Sequence, residues 1–181
     1  MEKLTLFGKT FKPYIKNSEI EAAIDRLAEK VNNDYGGSED VPVFLCVLNG
    51  ALMFTAAMMK RLTFTAELVS IKLSSYQGTS STGTVLVPLG LTGDVRGRRV
   101  IIFEDIVDTG HTITALKEML LDKGAADVKI CTMLLKPDVY KKSTKLDYVG
   151  MEIPDAFIVG YGLDYNERGR NSKDIYVLDE Q

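Results

Sequence analysis

Between Arg98 and Val107 the chain reads RRVIIFEDIV, and no other stretch is a stronger strand candidate. The run reaches Glu104 and Asp105, meets a third carboxylate at Asp108, and turns through Thr109 and Gly110 into a helical stretch that carries Ile113, Leu116 and Leu120 on one face. A largely apolar strand of this kind has to be covered on both faces, which places it inside a parallel sheet. Three acids in five positions constrain it further. Like charges repel, and burying them costs several kcal/mol each unless cations or hydrogen-bond donors compensate. The end of this strand must therefore face solvent or a charged ligand.

The same order of elements recurs along the chain. SEIEAAIDRLAEKV opens on Ser18 and Glu21, which have the spacing of a capping box, and lines up Ile20, Ile24, Leu27 and Val31 before Gly36 and Gly37 stop the helix. PVFLCVL, from Pro42, is a continuous apolar run that enters the helical stretch NGALMFTAAMMKRL. TAELVSIKLSSY, from Thr65, is β-rich, and VKICTMLL, from Val128, is another buried strand closed by Lys136 and Pro137. Repeated strand, helix and strand predict an α/β fold, a mostly parallel twisted sheet flanked by helices, with ligands bound beyond the carboxyl ends of the strands. The 181 residues suit one domain, with a core over about residues 38–147 and a small hood from residues 1–17 and 148–181.

The formal net charge of −3 gives no global attraction toward nucleic acid or anionic lipid, so an anion has to be caught locally. MEKLTLFGKTF lacks the pattern of a secretory leader, and no apolar run is long enough to span a bilayer. The expectation is a cytoplasmic protein with no membrane partner. Cys46 and Cys131, both inside strand-like runs, read as buried thiols rather than a disulfide or zinc pair. The run SYQGTSSTGT, from Ser75 to Thr84, is small and polar and reads as a mobile loop that closes over a reacting centre.

Two readings compete for the acids. An aspartate at 108 can simply cap the following helix. Alternatively, Glu104 and Asp105 accept hydrogen bonds from vicinal ribose hydroxyls, while the DTGHT turn, with Asp108, Thr109, Gly110, His111 and Thr112, offers backbone N–H groups and hydroxyls to a phosphate at the helix N-terminus. These two halves fit a single ligand, a ribose phosphate.

VIIFEDIVDTGHT resembles the phosphoribosyl pyrophosphate motif of the type I phosphoribosyltransferases: an apolar run, two acids, two apolar residues and Asp-Thr-Gly. The resemblance extends to the hypoxanthine-guanine phosphoribosyltransferases through Asn49-Gly50, Ser75-Tyr76, Lys136 and the segment AFIVGYGLDYNERGR, which occur in the family's order. It implies the type I phosphoribosyltransferase fold with a C-terminal hood. It also implies transfer of phosphoribose to hypoxanthine or guanine with magnesium, in a homodimer or homotetramer that binds no nucleic acid. Phosphoribose would lie on Glu104, Asp105, Ile106, Val107, Asp108, Thr109, Gly110, His111 and Thr112. Pyrophosphate would meet Asn49, Gly50, Ser75, Tyr76 and Arg170, and the base would meet Lys136, Phe157, Ile158 and Asp164. Magnesium would be held by Glu104, Asp105 and Asp164. Asp108 would exchange a proton with the imidazole part of the purine, and Lys136 would donate to its exocyclic oxygen.

Each assignment has a plainer counterpart. Asp164 can be a solvated turn residue, Lys136 an exposed lysine, Phe157 a core side chain and Arg170 a surface cation. Two positions depart from the common pattern: Asn49 stands where many members carry lysine, in a peptide that can be cis, and His111 stands where lysine or arginine is frequent. Regulators that sense the same ribose donor and bind nucleic acid share this fold, but they usually need a basic surface or an added DNA-binding module, and the net negative charge and the lack of spare length count against that class. Neither GxxxxGK[ST] nor GxGxxG follows a strand, so P-loop and dinucleotide-binding proteins are excluded.

Overall fold

The computed structural model describes residues 2–76, 85–89, 91 and 93–179. The expected closing loop lies, from residue 77 to 84, outside them. In chain order the elements are β1 (Leu4–Leu6), β2 (Lys9–Ile15), α1 (Asn17–Tyr35), β3 (Val43–Leu48), α2 (Leu52–Met59), β4 (Glu67–Tyr76), β5 (Val85–Leu89), β6 (Arg99–Val107), α3 (His111–Asp122), β7 (Asp127–Leu135), β8 (Tyr148–Glu152), β9 (Ile158–Val159) and β10 (Ile175–Leu178). They build a six-stranded sheet of order β5-β4-β3-β6-β7-β8 and a four-stranded sheet of order β1-β2-β10-β9.

In the larger sheet β4, β3, β6, β7 and β8 are parallel, and only β5 runs antiparallel, along the edge. Alternate residues of each strand face opposite layers. Phe44, Ile101, Phe103, Cys131 and Met133 pack against α1 and α2, while Val43, Leu45, Val100, Ile102, Val128 and Ile130 pack against α3. This two-faced burial is why the strands read as unbroken apolar runs. Cys46 and Cys131 are free, buried thiols, as the sequence predicts.

From β3 the chain crosses through α2 to β4, on one side, and from β6 it crosses through α3 to β7, on the other. The adjacent strands β3 and β6 therefore form the topological switch point, and a crevice opens beyond their carboxyl ends.

Two boundaries differ from the sequence reading. Helix α1 starts at Asn17 with Lys16 as its cap residue, and Ser18 lies inside the first turn. The Glu19 carboxylate accepts from the Lys16 N–H at 3.0 Å, and Asp174 of the segment leading into β10 accepts from the Asn17 N–H at 2.7 Å. Glu21 instead binds Arg61 at 2.7 Å. The Lys16 N–H is thus satisfied by the helix's own first turn and the Asn17 N–H from the hood, and the cap falls at Lys16 rather than at Ser18. Tyr148–Glu152, which reads as hood, pairs with β7 and completes the main sheet. The hood proper is the antiparallel sheet in which β2 from the N-terminal region pairs with β10.

Candidate active site

The site grows from the ends of β3 and β6. After Leu48 the chain passes through a cis Leu48–Asn49 peptide, and Gly50 then lies against the end of β6. A Cβ at Gly50 would fall 1.7 Å from Asp105 Oδ2, so only glycine leaves the carboxylate its place. Asp105 Oδ1 accepts from the Ile106 N–H at 2.8 Å, and Glu104 Oε1 accepts from the Asp105 N–H at 3.2 Å. Glu104 is only 7% exposed. Its burial, and next the charge of Asp105, push its carboxyl well above the usual carboxylate range.

Past Val107 the chain crosses Asp108 and Thr109 and enters α3 through Gly110, whose φ of +80° marks a left-handed residue at the helix cap. A Cβ there would also strike the Tyr140 ring, at 2.3 Å from Cε2. Tyr140 in turn donates to the Thr144 carbonyl, and Thr144 bonds Thr114 of α3 at 2.8 Å. The lysine-rich segment after β7 therefore buttresses the 108–112 turn from outside. Gly50, Glu104, Asp105, Asp108, Thr109 and Gly110 all line one open cavity of about 380 Å³. Its anion-facing wall is the N-terminus of α3, where unpaired N–H groups and the helix dipole favour a phosphate.

At the far side of Asp108 stands Lys136, only 8% exposed, its N–H bonded to the Val107 carbonyl at 3.0 Å. Its ammonium donates to Asp108 Oδ2 at 3.3 Å and to Asp155 Oδ1 at 2.9 Å. Burial lowers its pKa, but the bonds from Asp155 and Asp108 outweigh that and raise it overall, so Lys136 stays charged. It is not an ordinary surface lysine.

In the hood, Phe157 is 46% exposed, with Tyr165 edge-on to its ring at a centroid distance of 5.7 Å and Phe11 tilted beside it at 6.1 Å. The ring is held from behind and open in front, unlike a core phenylalanine. Ile158 is buried in β9. Arg170 is tied within the hood turn, to the Gly162 carbonyl at 2.8 Å, Asp164 at 2.7 Å and Glu167 at 2.9 Å. Asp164 also accepts from the Glu167 N–H at 2.8 Å. Hood and crevice meet where Gly162 packs on Gly50: a Cβ on Gly162 would lie 2.1 Å from the Gly50 carbonyl oxygen.

The phosphoribosyl transferase domain matches residues 13–166 of this sequence. The hypoxanthine-guanine phosphoribosyltransferase of Bacillus subtilis is 40% identical to it over 168 residues, covering 92% of each chain. The enzyme of the same name from Streptococcus pneumoniae is 37% identical over 171 residues, covering 94% of each. This chain belongs to the hypoxanthine-guanine phosphoribosyltransferase family. Solved structures agree: a hypoxanthine phosphoribosyltransferase from Staphylococcus aureus superposes with a TM-score of 0.85 at 31% identity, covering 93% of this chain and 91% of that one. One from Trypanosoma cruzi gives 0.84 at 30% identity, covering 97% and 95%.

In this member of the family, the residues from Glu104 to Gly110, with Thr112 and Gly50, come together on the crevice. Asp108 and Lys136 touch directly. Asn49 sits on the cis peptide at the crevice mouth, and His111 is exposed at the first turn of α3. Ser75 and Tyr76 end β4 beyond Lys72, which pairs with Leu48, so their backbone reaches the same sheet edge. Sequence reasoning missed Asp155 and Tyr140. Neither belongs to a chemical motif, and only the packing of distant segments brings them to the site.

The donors suit a hard divalent cation. Among the described residues neither Glu104 nor Asp105 has an ion-pair partner, and two adjacent, largely shielded carboxylates need positive charge from elsewhere. No group of three or more metal-ligating side chains occurs among the described residues, so the remaining ligand oxygens would come from water and substrate, a pattern magnesium accepts and zinc does not. No helix among those residues is long and apolar enough to cross a membrane.

Proposed function

We propose that the chain transfers the phosphoribosyl group of phosphoribosyl pyrophosphate to a 6-oxopurine, hypoxanthine or guanine, giving the nucleoside monophosphate and pyrophosphate in purine salvage. The observation that carries this reading is the meeting of Asp108 and Lys136 at the rim of a crevice whose floor is Glu104, Asp105 and the N-terminus of α3. A ribose 5-phosphate seated on residues 108–112 directs its hydroxyls to Glu104 and Asp105 and its anomeric carbon toward Asp108. The imidazole nitrogen of the base forms the new bond to that carbon as the carbon–oxygen bond to pyrophosphate breaks, and the electron pair leaves with pyrophosphate. Asp108 takes up the proton that the imidazole ring gives up. Lys136 donates to the exocyclic oxygen, which distinguishes a 6-oxopurine from a 6-aminopurine, since the latter offers a donor instead. Phe157 stacks on the purine plane, and the backbone of Ile158 meets its outer edge.

Glu104 and Asp105 are the residues that would hold one magnesium ion, and Asp164, from the hood, would hold another largely through its water shell. When bound, magnesium supplies positive charge that stabilises the leaving pyrophosphate. Asn49, Gly50, Ser75, Tyr76 and Arg170 are the residues that would meet that group. Asn49 brings a dipole in place of a full positive charge, so the backbone of the cis turn carries more of the contact. Two buried free thiols suit a reducing, cytoplasmic compartment. Leu52 of α2, 57% exposed, offers apolar area for assembly into a dimer or tetramer. The test is pyrophosphate release with hypoxanthine, guanine, xanthine and adenine in turn, with phosphoribosyl pyrophosphate and magnesium. The oxopurines should turn over well ahead of adenine, and a preference for adenine would overturn the reading.

A further inference from the structure

Lys136 is gripped by two carboxylates, and only Asp108 belongs to the conspicuous motif. Asp155 makes the shorter bond, 2.9 Å against 3.3 Å. It lies in the connection between β8 and β9, which is pinned by the Ile153 N–H to the Leu135 carbonyl at 2.8 Å and by the burial of Ile153. Two residues later the same connection presents Phe157. We infer that Asp155 is a positioning residue for base recognition: it holds the Lys136 ammonium so that one N–H remains directed at the purine oxygen and Asp108 remains free to exchange a proton. This rests on the 6-oxopurine reading of the site given above.

Donor geometry gives Asp155 this role. An ammonium has three N–H groups on a freely turning terminal bond. With two of them fixed by carboxylates from different segments, the direction of the third is set as well. Asp155 also divides the charge of Lys136. Without it, a nearly buried ammonium has Asp108 as its sole carboxylate partner among the described residues, and a closer pair makes Asp108 a poorer proton acceptor. Loss of Asp155 should therefore harm base binding and turnover together. The ribose-donor contacts are made by other residues and should not change. The Asp155 side chain is 66% exposed, so Asp155→Asn leaves no buried, unpaired group behind.

The experiment uses the full chain and compares wild type, Asp155→Asn, Asp155→Glu and Lys136→Ala by steady-state pyrophosphate release with hypoxanthine. For Asp155→Asn we expect the hypoxanthine KM to rise about tenfold and kcat to fall about tenfold, with the KM for phosphoribosyl pyrophosphate within about twofold of wild type. Asp155→Glu, which keeps the charge, should recover a large part of both losses. Unchanged hypoxanthine kinetics in Asp155→Asn would overturn the inference. So would a lowered melting temperature with equal rises in both KM values, which would make Asp155 a plain structural anchor. If Lys136→Ala weakens hypoxanthine selectively while Asp155→Asn does not, the positioning role fails and the functional reading stands. If wild type turns over no oxopurine, the functional reading fails and this inference with it.

Discussion

The contact between hood and crevice rests on Gly162, and its replacement by alanine tests how the two are joined. Gly162 has a φ of +98°, and an added Cβ would stand 2.1 Å from the Gly50 carbonyl oxygen, well inside the 3.0 Å that real Cβ contacts keep. The obstacle is backbone, so no side-chain rotation relieves it. Gly50 cannot retreat freely either, because it already lies against the Asp105 carboxylate. Holding alanine at a left-handed φ costs about 1–3 kcal/mol, and overpacking adds about 1–3 kcal/mol. Against a total stability of roughly 5–15 kcal/mol the chain should still fold, with the hood displaced from the crevice. Gly37→Ala is the control, since Gly37 has a φ of +79° and open space around its Cβ position. The difference between the two variants isolates the contact, and for a chain of this size it should appear as a melting temperature about 2–12 °C lower for Gly162→Ala. Thermal unfolding gives that number, and the KM for phosphoribosyl pyrophosphate should rise in Gly162→Ala alone. Equal melting temperatures in the two variants, or an unmoved KM in Gly162→Ala, would refute the coupling of hood to crevice through this contact.

Asp108→Asn should leave folding and ribose-donor binding nearly intact while lowering turnover by about 10²- to 10⁴-fold, and single-turnover rates within threefold of wild type, roughly, would remove it as the proton acceptor. Lys136→Ala should raise the KM for hypoxanthine by about ten- to hundredfold and that for phosphoribosyl pyrophosphate far less, and it should narrow the discrimination against adenine. At the opposite end of the sheet, the Tyr148 hydroxyl and then the Lys129 ammonium hold the Asp34 carboxyl below the ordinary aspartate range. A depressed folded-state value means the contribution is complete above that range and is lost as pH falls through the folded value. Asp34→Asn should thus lower the melting temperature at pH 7 by an amount that starts to shrink as pH falls below about 4 and vanishes only below the depressed folded-state value, and a gap that stays constant through that acid range would contradict the assignment.

The sequence alone settled what depends on short-range pattern. Unbroken apolar runs at Val43, Val100 and Val128 dictate strands buried on both faces, and their alternation with amphipathic helices dictates a parallel sheet, because each strand needs a helix over each face. The acids and the Thr-Gly turn after β6 were legible for the same reason: strand end, ligand groups and helix start are consecutive residues, so their order in the chain is their order in space. Tertiary structure decided what depends on residues far apart. Ser18 did not become the cap of α1, because Asp174, 157 positions away from Asn17, supplies the acceptor. Tyr148–Glu152 carries no label distinguishing a sixth sheet strand from a hood strand, and only the open edge of β7 assigns it. Lys136 looks like a surface lysine until folding closes Asp108 and Asp155 around it, Gly50 looks like any turn glycine until the Asp105 carboxylate occupies the space a side chain would need, and Gly162 does until the Gly50 carbonyl occupies its own. Local pattern specifies which groups are available, whereas the long-range burial of β3 beside β6 specifies which of them meet, since a buried charge or a missing Cβ acquires meaning only from the atoms packed against it.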